Sequence, residues 1–150
     1  MSAVTEIRHR GEVIAIIVPG DFAQPGIHFF TPDAFSQQLA YMRYPAGKLI
    51  PAHVHNPVKR EVQFTLEVLF IKRGKLRVDF FDDGRVYLES RVLQGGDVIL
   101  LATGGHGFEV LEELEMLEVK QGPYAGDGDK TRFVPTLPAH LKFGPGSPPS

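Results

Sequence analysis

Lys75-Leu-Arg-Val-Asp-Phe-Phe81, Asp82-Asp-Gly84, Arg85-Val-Tyr-Leu-Glu-Ser-Arg-Val-Leu93, Gln94-Gly-Gly96, Asp97-Val-Ile-Leu-Leu-Ala102 is a run of β-rich segments separated by short turn signals. Aromatic and β-branched residues alternate with polar ones within each segment, and Gly and Asp collect between them, which is how antiparallel strands and their turns are written. The pattern extends upstream as Arg60 to Lys72, ending at an Arg73-Gly74 turn, and predicts an antiparallel meander. Further strands are expected at Glu12 to Val18, Gly26 to Phe30, Gln37 to Tyr44, His106 to Leu111 and Leu114 to Gln121. The stretch Phe108 to Val119 also places Val110, Leu111, Leu114 and Leu117 at helical spacing, so a short helix competes there; the absence of an N-cap residue after the glycines favours two strands turning at Glu112-Glu113. Eight or more strands with Gly 16 and Pro 12 distributed between them point to an all-β barrel or sandwich.

A chain of 150 residues, 43% hydrophobic and 23% charged, fits one soluble domain with its own core. With 16 basic and 18 acidic side chains there is no positive excess to attract a phosphate backbone, so no nucleic-acid partner is expected. The longest apolar runs fall far short of the roughly 20 residues that cross a bilayer, so no membrane span is expected. Met1 to Gly11 lacks the apolar core of a secretory signal, which makes cytoplasmic residence the default expectation. The chain has no cysteine, so any metal must be held by imidazole and carboxylate.

His53-Val54-His55 would point two imidazoles to one side of an extended chain. Gly47 stands six residues before it, Glu67 follows on the next long strand segment, and Gly74 closes that segment. Downstream, Gly96, a short apolar run, Gly104 and His106 form a second cluster. This framework resembles the cupin superfamily, whose first motif is G-x5-H-x-H-x3,4-E-x6-G and whose second is G-x5-P-x-G-x2-H-x3-N. The resemblance covers about Gly47 to Val110. It implies a cupin-type double-stranded β-helix, or jelly-roll barrel, in a single domain over 1–142 with core motifs at 47–110 and a flexible tail at 143–150. It also implies His53, His55, Glu67 and His106 as ligands of one divalent transition metal ion.

The chain departs from the pattern in three places. Eleven residues separate His55 from Glu67, so Asn56 to Gln63 is expected to form a long loop at the barrel mouth, with Glu61 as a rival carboxylate. Ala102 stands in the place of proline, one residue is missing before His106, and Val110 replaces the closing asparagine.

Independently of the motif, Glu67 lies among Leu66, Val68, Leu69, Phe70 and Ile71. Burying an unpaired carboxylate costs several kcal/mol, and the adjacent Lys72 and Arg73 can reach water instead, so a bound cation is the expected partner. Three imidazoles and a carboxylate suit Fe, Mn, Ni, Co, Cu or Zn better than Mg or Ca. Four ligands on an octahedral ion leave two open positions, the arrangement of a catalytic centre.

By parity Gln63 shares the face of Glu67, and Phe108 that of His106; Tyr41 and Arg43 alternate on one strand, and these four are candidate substrate-binding residues. The polar segment Lys120 to Arg132 reads as a lid, a dimer contact or a solvated connector. The apolar run Val13 to Val18, taken as a sheet edge, suggests a homodimer. The function expected is a metal-dependent enzyme, of oxygenase or isomerase type, acting on a small polar organic molecule. A ligand-sensing module without catalysis and a metal-free sugar-nucleotide epimerase or ketoisomerase remain as alternatives, the latter requiring an acid–base pair in the pocket.

Overall fold

A computed structural model of the chain describes residues 1–145. The protein is all-β. The strands are β1 (Thr5–His9), β2 (Glu12–Val18), β3 (Gly26–Phe29), β4 (Ala40–Arg43), β5 (Glu67–Phe81), β6 (Tyr87–Gln94), β7 (Val98–Leu101) and β8 (Gly105–Lys120), followed by one 3-10 turn at Gly126–Asp129. No α-helix occurs among the described residues, so the helical spacing in Phe108 to Val119 yields to strand. Among the described residues no helix is long and apolar enough to cross a membrane.

Six strands form one antiparallel sheet and β3–β4 form a separate hairpin. β5 organises the larger sheet: one edge pairs first with β7 and then with β6, while the other pairs with β8 along its whole length. A straight strand of 15 residues would reach about 50 Å at about 3.3 Å per residue. Yet Glu67, at one end of β5, pairs with Leu101, and Phe81, at the other end, pairs with Gly105. Only Ala102 to Gly104 separate those partners, so the β5–β8 ladder must coil back on itself, and the sheet is strongly curled into a half-barrel. Bulges make the coiling possible, because extra residues increase bend and twist: the ladder register shifts around Arg73 and Lys75. Gly74 sits there with φ of +95° and its α-carbon faces the Glu113 backbone, where a side chain has no room. Expected turns at Arg73-Gly74 and Glu112-Glu113 are therefore facing irregularities within two continuous strands.

Ile14, Ile17, Leu69, Ile71, Leu76, Val78, Phe80, Leu93 and Ile99 build the main core on one face of the sheet. The β3–β4 side covers the other face, where Phe30, Phe35 and Leu39 pack on Val13, Ile16 and Leu100. A further expectation changes. Val13 to Val18 is no edge, because β2 lies between β1 and β7. The C-terminal segment is tied down as far as it is described: the Lys142 carbonyl accepts from Ser90 N–H at 2.8 Å, and Arg91 donates to the Pro145 carbonyl at 3.0 Å. Of the tail expected to be flexible, 146–150 lies outside the described residues.

Candidate functional site

The curl of the ladder opens a cleft of about 1120 Å³, walled by the Gln63–Thr65 stretch, the start of β5, the β7–β8 turn and the Ala125–Phe133 segment. Glu67 enters it from β5 and His106 from β8. These two residues sit at opposite ends of the ladder, beside Lys120 and Phe80 respectively, and coiling brings them together: His106 Nε2 is 3.5 Å from Glu67 Oε2. The Glu67 side chain is only 12% exposed.

Its charge is met within the chain by a lysine distant in sequence, rather than by the adjacent Lys72 or Arg73. Lys120 Nζ is 3.2 Å from Glu67 Oε1 and 3.2 Å from Glu118 Oε1. The His106 imidazole and then Lys120 hold the Glu67 carboxyl below the usual carboxylate range, against the opposing effect of burial. Both carboxylates beside Lys120 hold its ammonium above the ordinary lysine value. Lys120 thus engages one oxygen of Glu67, and the other faces His106.

His53 and His55 stand elsewhere, on an exposed stretch without regular structure between β4 and β5. Their ring centroids are 5.3 Å apart. His53 Nδ1 is 2.9 Å from the Pro51 carbonyl; in the tautomer that donates this hydrogen bond, Nε2 carries the free lone pair, the form in which histidine binds metals. Among the described residues no three histidine, aspartate or glutamate side chains gather around one point. The four expected ligands therefore form two pairs, Glu67 with His106 and His53 with His55.

The donors fit a transition metal in kind, and one pair fits it in spacing. Metal bonds of about 2.1 Å set neighbouring donors of a tetrahedral site about 3.4 Å apart. The 3.5 Å between Glu67 Oε2 and His106 Nε2 is close to that edge and wider than the roughly 3.0 Å between neighbouring donors of an octahedral ion with the same bond length.

Of the other candidates, Gln63 lines the cleft. Phe108 packs against His106, ring centroids 5.3 Å apart, outside the cleft lining. Tyr41 and Arg43 lie on the β3–β4 hairpin, where Tyr41 meets Phe22 edge-on at 4.9 Å, and neither lines the cleft. Glu61 is exposed and also lies outside the lining.

The polar segment after β8 supplies what single-residue reading left out. Asp129, Lys130, Arg132 and Phe133 form a cleft wall, and the Thr65 hydroxyl donates to Asp129, joining that wall to the root of β5. Phe133 is fixed edge-on against Phe81 at 5.2 Å, giving the wall an apolar end. The observed class is thus an all-β protein with a curled sheet and a carboxylate–imidazole pair set in a polar cleft. Searches of protein-family models, of curated proteins and of solved structures find no match to this chain.

Proposed function

We propose that this chain is a cupin-type metalloenzyme that acts on a small polar organic molecule in the cleft beside Glu67 and His106. The observation carrying the proposal is the 3.5 Å approach of a carboxylate oxygen to an imidazole nitrogen at the wall of a cleft of about 1120 Å³. In this reading Glu67 and His106 hold a divalent transition ion (Fe, Mn, Ni, Co, Cu or Zn) together with His53 and His55, and the curled sheet is part of a jelly-roll barrel. When bound, the ion supplies Lewis acidity or a site for dioxygen.

The remaining roles belong to side chains of the cleft. His106 and then Lys120 favour the ionised form of Glu67, in which it is a competent ligand or proton acceptor. Gln63 and Asp129 offer hydrogen bonds that orient a polar substrate, Lys130 and Arg132 offer positive charge to an anionic group on it, and Phe133 excludes water at the apolar end.

The test is turnover by protein stripped of metal and reloaded with Fe(II), Mn(II), Ni(II) or Zn(II), using a panel of hydroxy acids, keto acids and sugars while following oxygen uptake and isomer formation. Conversion that depends on one of the metals supports the proposal. Tight, persistent binding of a panel compound without conversion identifies a sensing module instead.

One observation favours a second reading. Lys120 already neutralises Glu67, so Glu67 and His106 could work as a metal-free acid–base pair of the kind an epimerase or ketoisomerase requires. Isomer formation undiminished by a chelator would select it.

A further inference from the structure

Beyond β8 the chain runs from the cleft to the outer edge of the sheet and is held at a few points. Among the described residues no backbone–backbone hydrogen bond ties residues 122–141 to a strand. Tyr124 and Val134 are 94% and 96% exposed. The first anchor is the hydrogen bond from Thr65 to Asp129. The second is Phe133, whose ring stands edge-on to Phe81 at 5.2 Å and beneath the Arg85 guanidinium at 5.6 Å. The same ring lies so near Gly105 that a β-carbon there would be 3.3 Å from it. Phe133 is therefore seated on the residue that precedes His106.

The third anchor is the most elaborate. β6 ends the sheet on one side, and residues 142–145 lie along its outer edge. Ser90 N–H donates to the Lys142 carbonyl at 2.8 Å, Lys142 N–H donates to the Tyr87 hydroxyl at 3.0 Å, and Arg91 donates to the Pro145 carbonyl at 3.0 Å. Phe143 bridges to Ser90 in parallel. Behind these contacts the Tyr87 hydroxyl lies 2.7 Å from Ser90 Oγ, and Ser90 Oγ donates to Asp79, which also accepts two bonds from Arg77. Because Ser90 gives its hydroxyl proton to Asp79, Tyr87 is the donor to Ser90, and the tail amide completes the chain by donating to Tyr87. Ser90 and Asp79 are 0% and 5% exposed. Removing the tail strips a partner from this buried network and from Ser90 N–H, so 142–145 leaves its seat as a unit.

We propose that residues 122–145 form a movable strap along the cleft and that the seat of 142–145 on β6 is its latch. The strap supplies the whole 125–133 stretch of the cleft lining. Anchored at both ends it is a closed loop, and Phe133 finds its seat as a local docking step; with the far anchor released it becomes a free chain end, and the same contacts hold Phe133 less firmly. Release of 142–145 then lets the wall swing off Gly105 and widens the way to His106 and Glu67. The inference concerns the movement of the wall and is independent of what the cleft binds.

The chain has no cysteine, so two introduced thiols report on the wall alone. Asp83→Cys on the β5–β6 turn and Thr131→Cys on the strap are exposed positions of the cleft lining; both carry spin labels whose separation is read by pulsed electron paramagnetic resonance. The latch is weakened from either side. Tyr87→Phe removes the hydroxyl that holds Lys142 N–H. Gly144→Val drives a side chain into the Arg91 guanidinium, and whichever of the two moves, the Arg91–Pro145 bond is lost. Gly144 lies off the sheet, so this variant reports even if Tyr87→Phe fails to fold. Tryptic cleavage after Lys142 measures release of the latch and is expected to be about fivefold faster, the rise in open population that one lost hydrogen bond brings. The label separation is expected to gain a second, longer population. Faster cleavage with an unchanged separation overturns the strap, because the wall then stands without its latch. Cleavage no faster in either variant overturns the latch itself.

Discussion

Lys120 Nζ lies 3.2 Å from Glu67 Oε1, and the two residues are direct cross-strand neighbours in the β5–β8 ladder. The pairing explains how a nearly buried carboxylate is tolerated at the cleft wall. It also divides the two oxygens of Glu67, leaving Oε2 toward His106. The ladder therefore fixes both the charge state of the site and the direction in which it can bind.

A pH dependence follows from this pair. The folded protein holds the Glu67 carboxyl below its ordinary value, so its ionised form contributes stability that is complete above the ordinary carboxylate range and is lost as pH falls through the lowered folded value. Replacing Lys120 with Met should cost about 1 kcal/mol at neutral pH, and because the folded value of Glu67 then moves up toward the ordinary one, the acid-dependent part of the stability loss should be smaller. Urea unfolding at several pH values measures both. Superimposable acid limbs for the two proteins would contradict this role of Lys120.

Gly74 is the point where coiling of the ladder depends on the absence of a side chain. Gly74→Ala places a methyl group against the Glu113 backbone at φ of +95°. A loss of about 3 kcal/mol is expected in denaturant unfolding, whereas Gly126→Ala, also at positive φ but in open space, should lose about 1 kcal/mol. Equal losses would show that the close approach at Gly74 is unimportant.

The hydroxyl of Thr65 holds the Asp129 wall against the root of β5. Thr65→Val should cost about 0.5–1 kcal/mol in stability and speed proteolytic cleavage between residues 124 and 134, with the β strands still protected. Unchanged cleavage in that segment would show that the wall stands without this bond.

Much of the architecture is legible in the sequence because alternation and turn residues report directly on strands. β2 falls where it is expected, β7 lies within its expected segment, and β6 matches its own apart from starting two residues later and ending one residue later, at Gln94. β1 escapes because a single fully buried residue, Ile7, lies among charged neighbours, too little apolar signal for a short edge strand. The joining of strands across Gly74 and across Glu112-Glu113 is hidden because a bulge and a turn use the same residues; long-range register tells them apart.

The same limit explains the site. Glu67 and His106 can be marked as candidates by residue type and spacing, and they do meet. Lys120 is invisible to local reading because it becomes a neighbour of Glu67 only once β8 is aligned antiparallel on β5. His53 and His55 keep the side-by-side relation their spacing implies, but spacing carries no information about which surface the pair approaches.

Coordination of a metal ion by Glu67 and His106 is read out by elemental analysis of protein purified without added metal, with Glu67→Ala and His106→Ala measured beside the wild type. Close to one transition-metal ion per chain is expected in the wild type and at least about tenfold less in each variant. Equal metal content in all three proteins would contradict it.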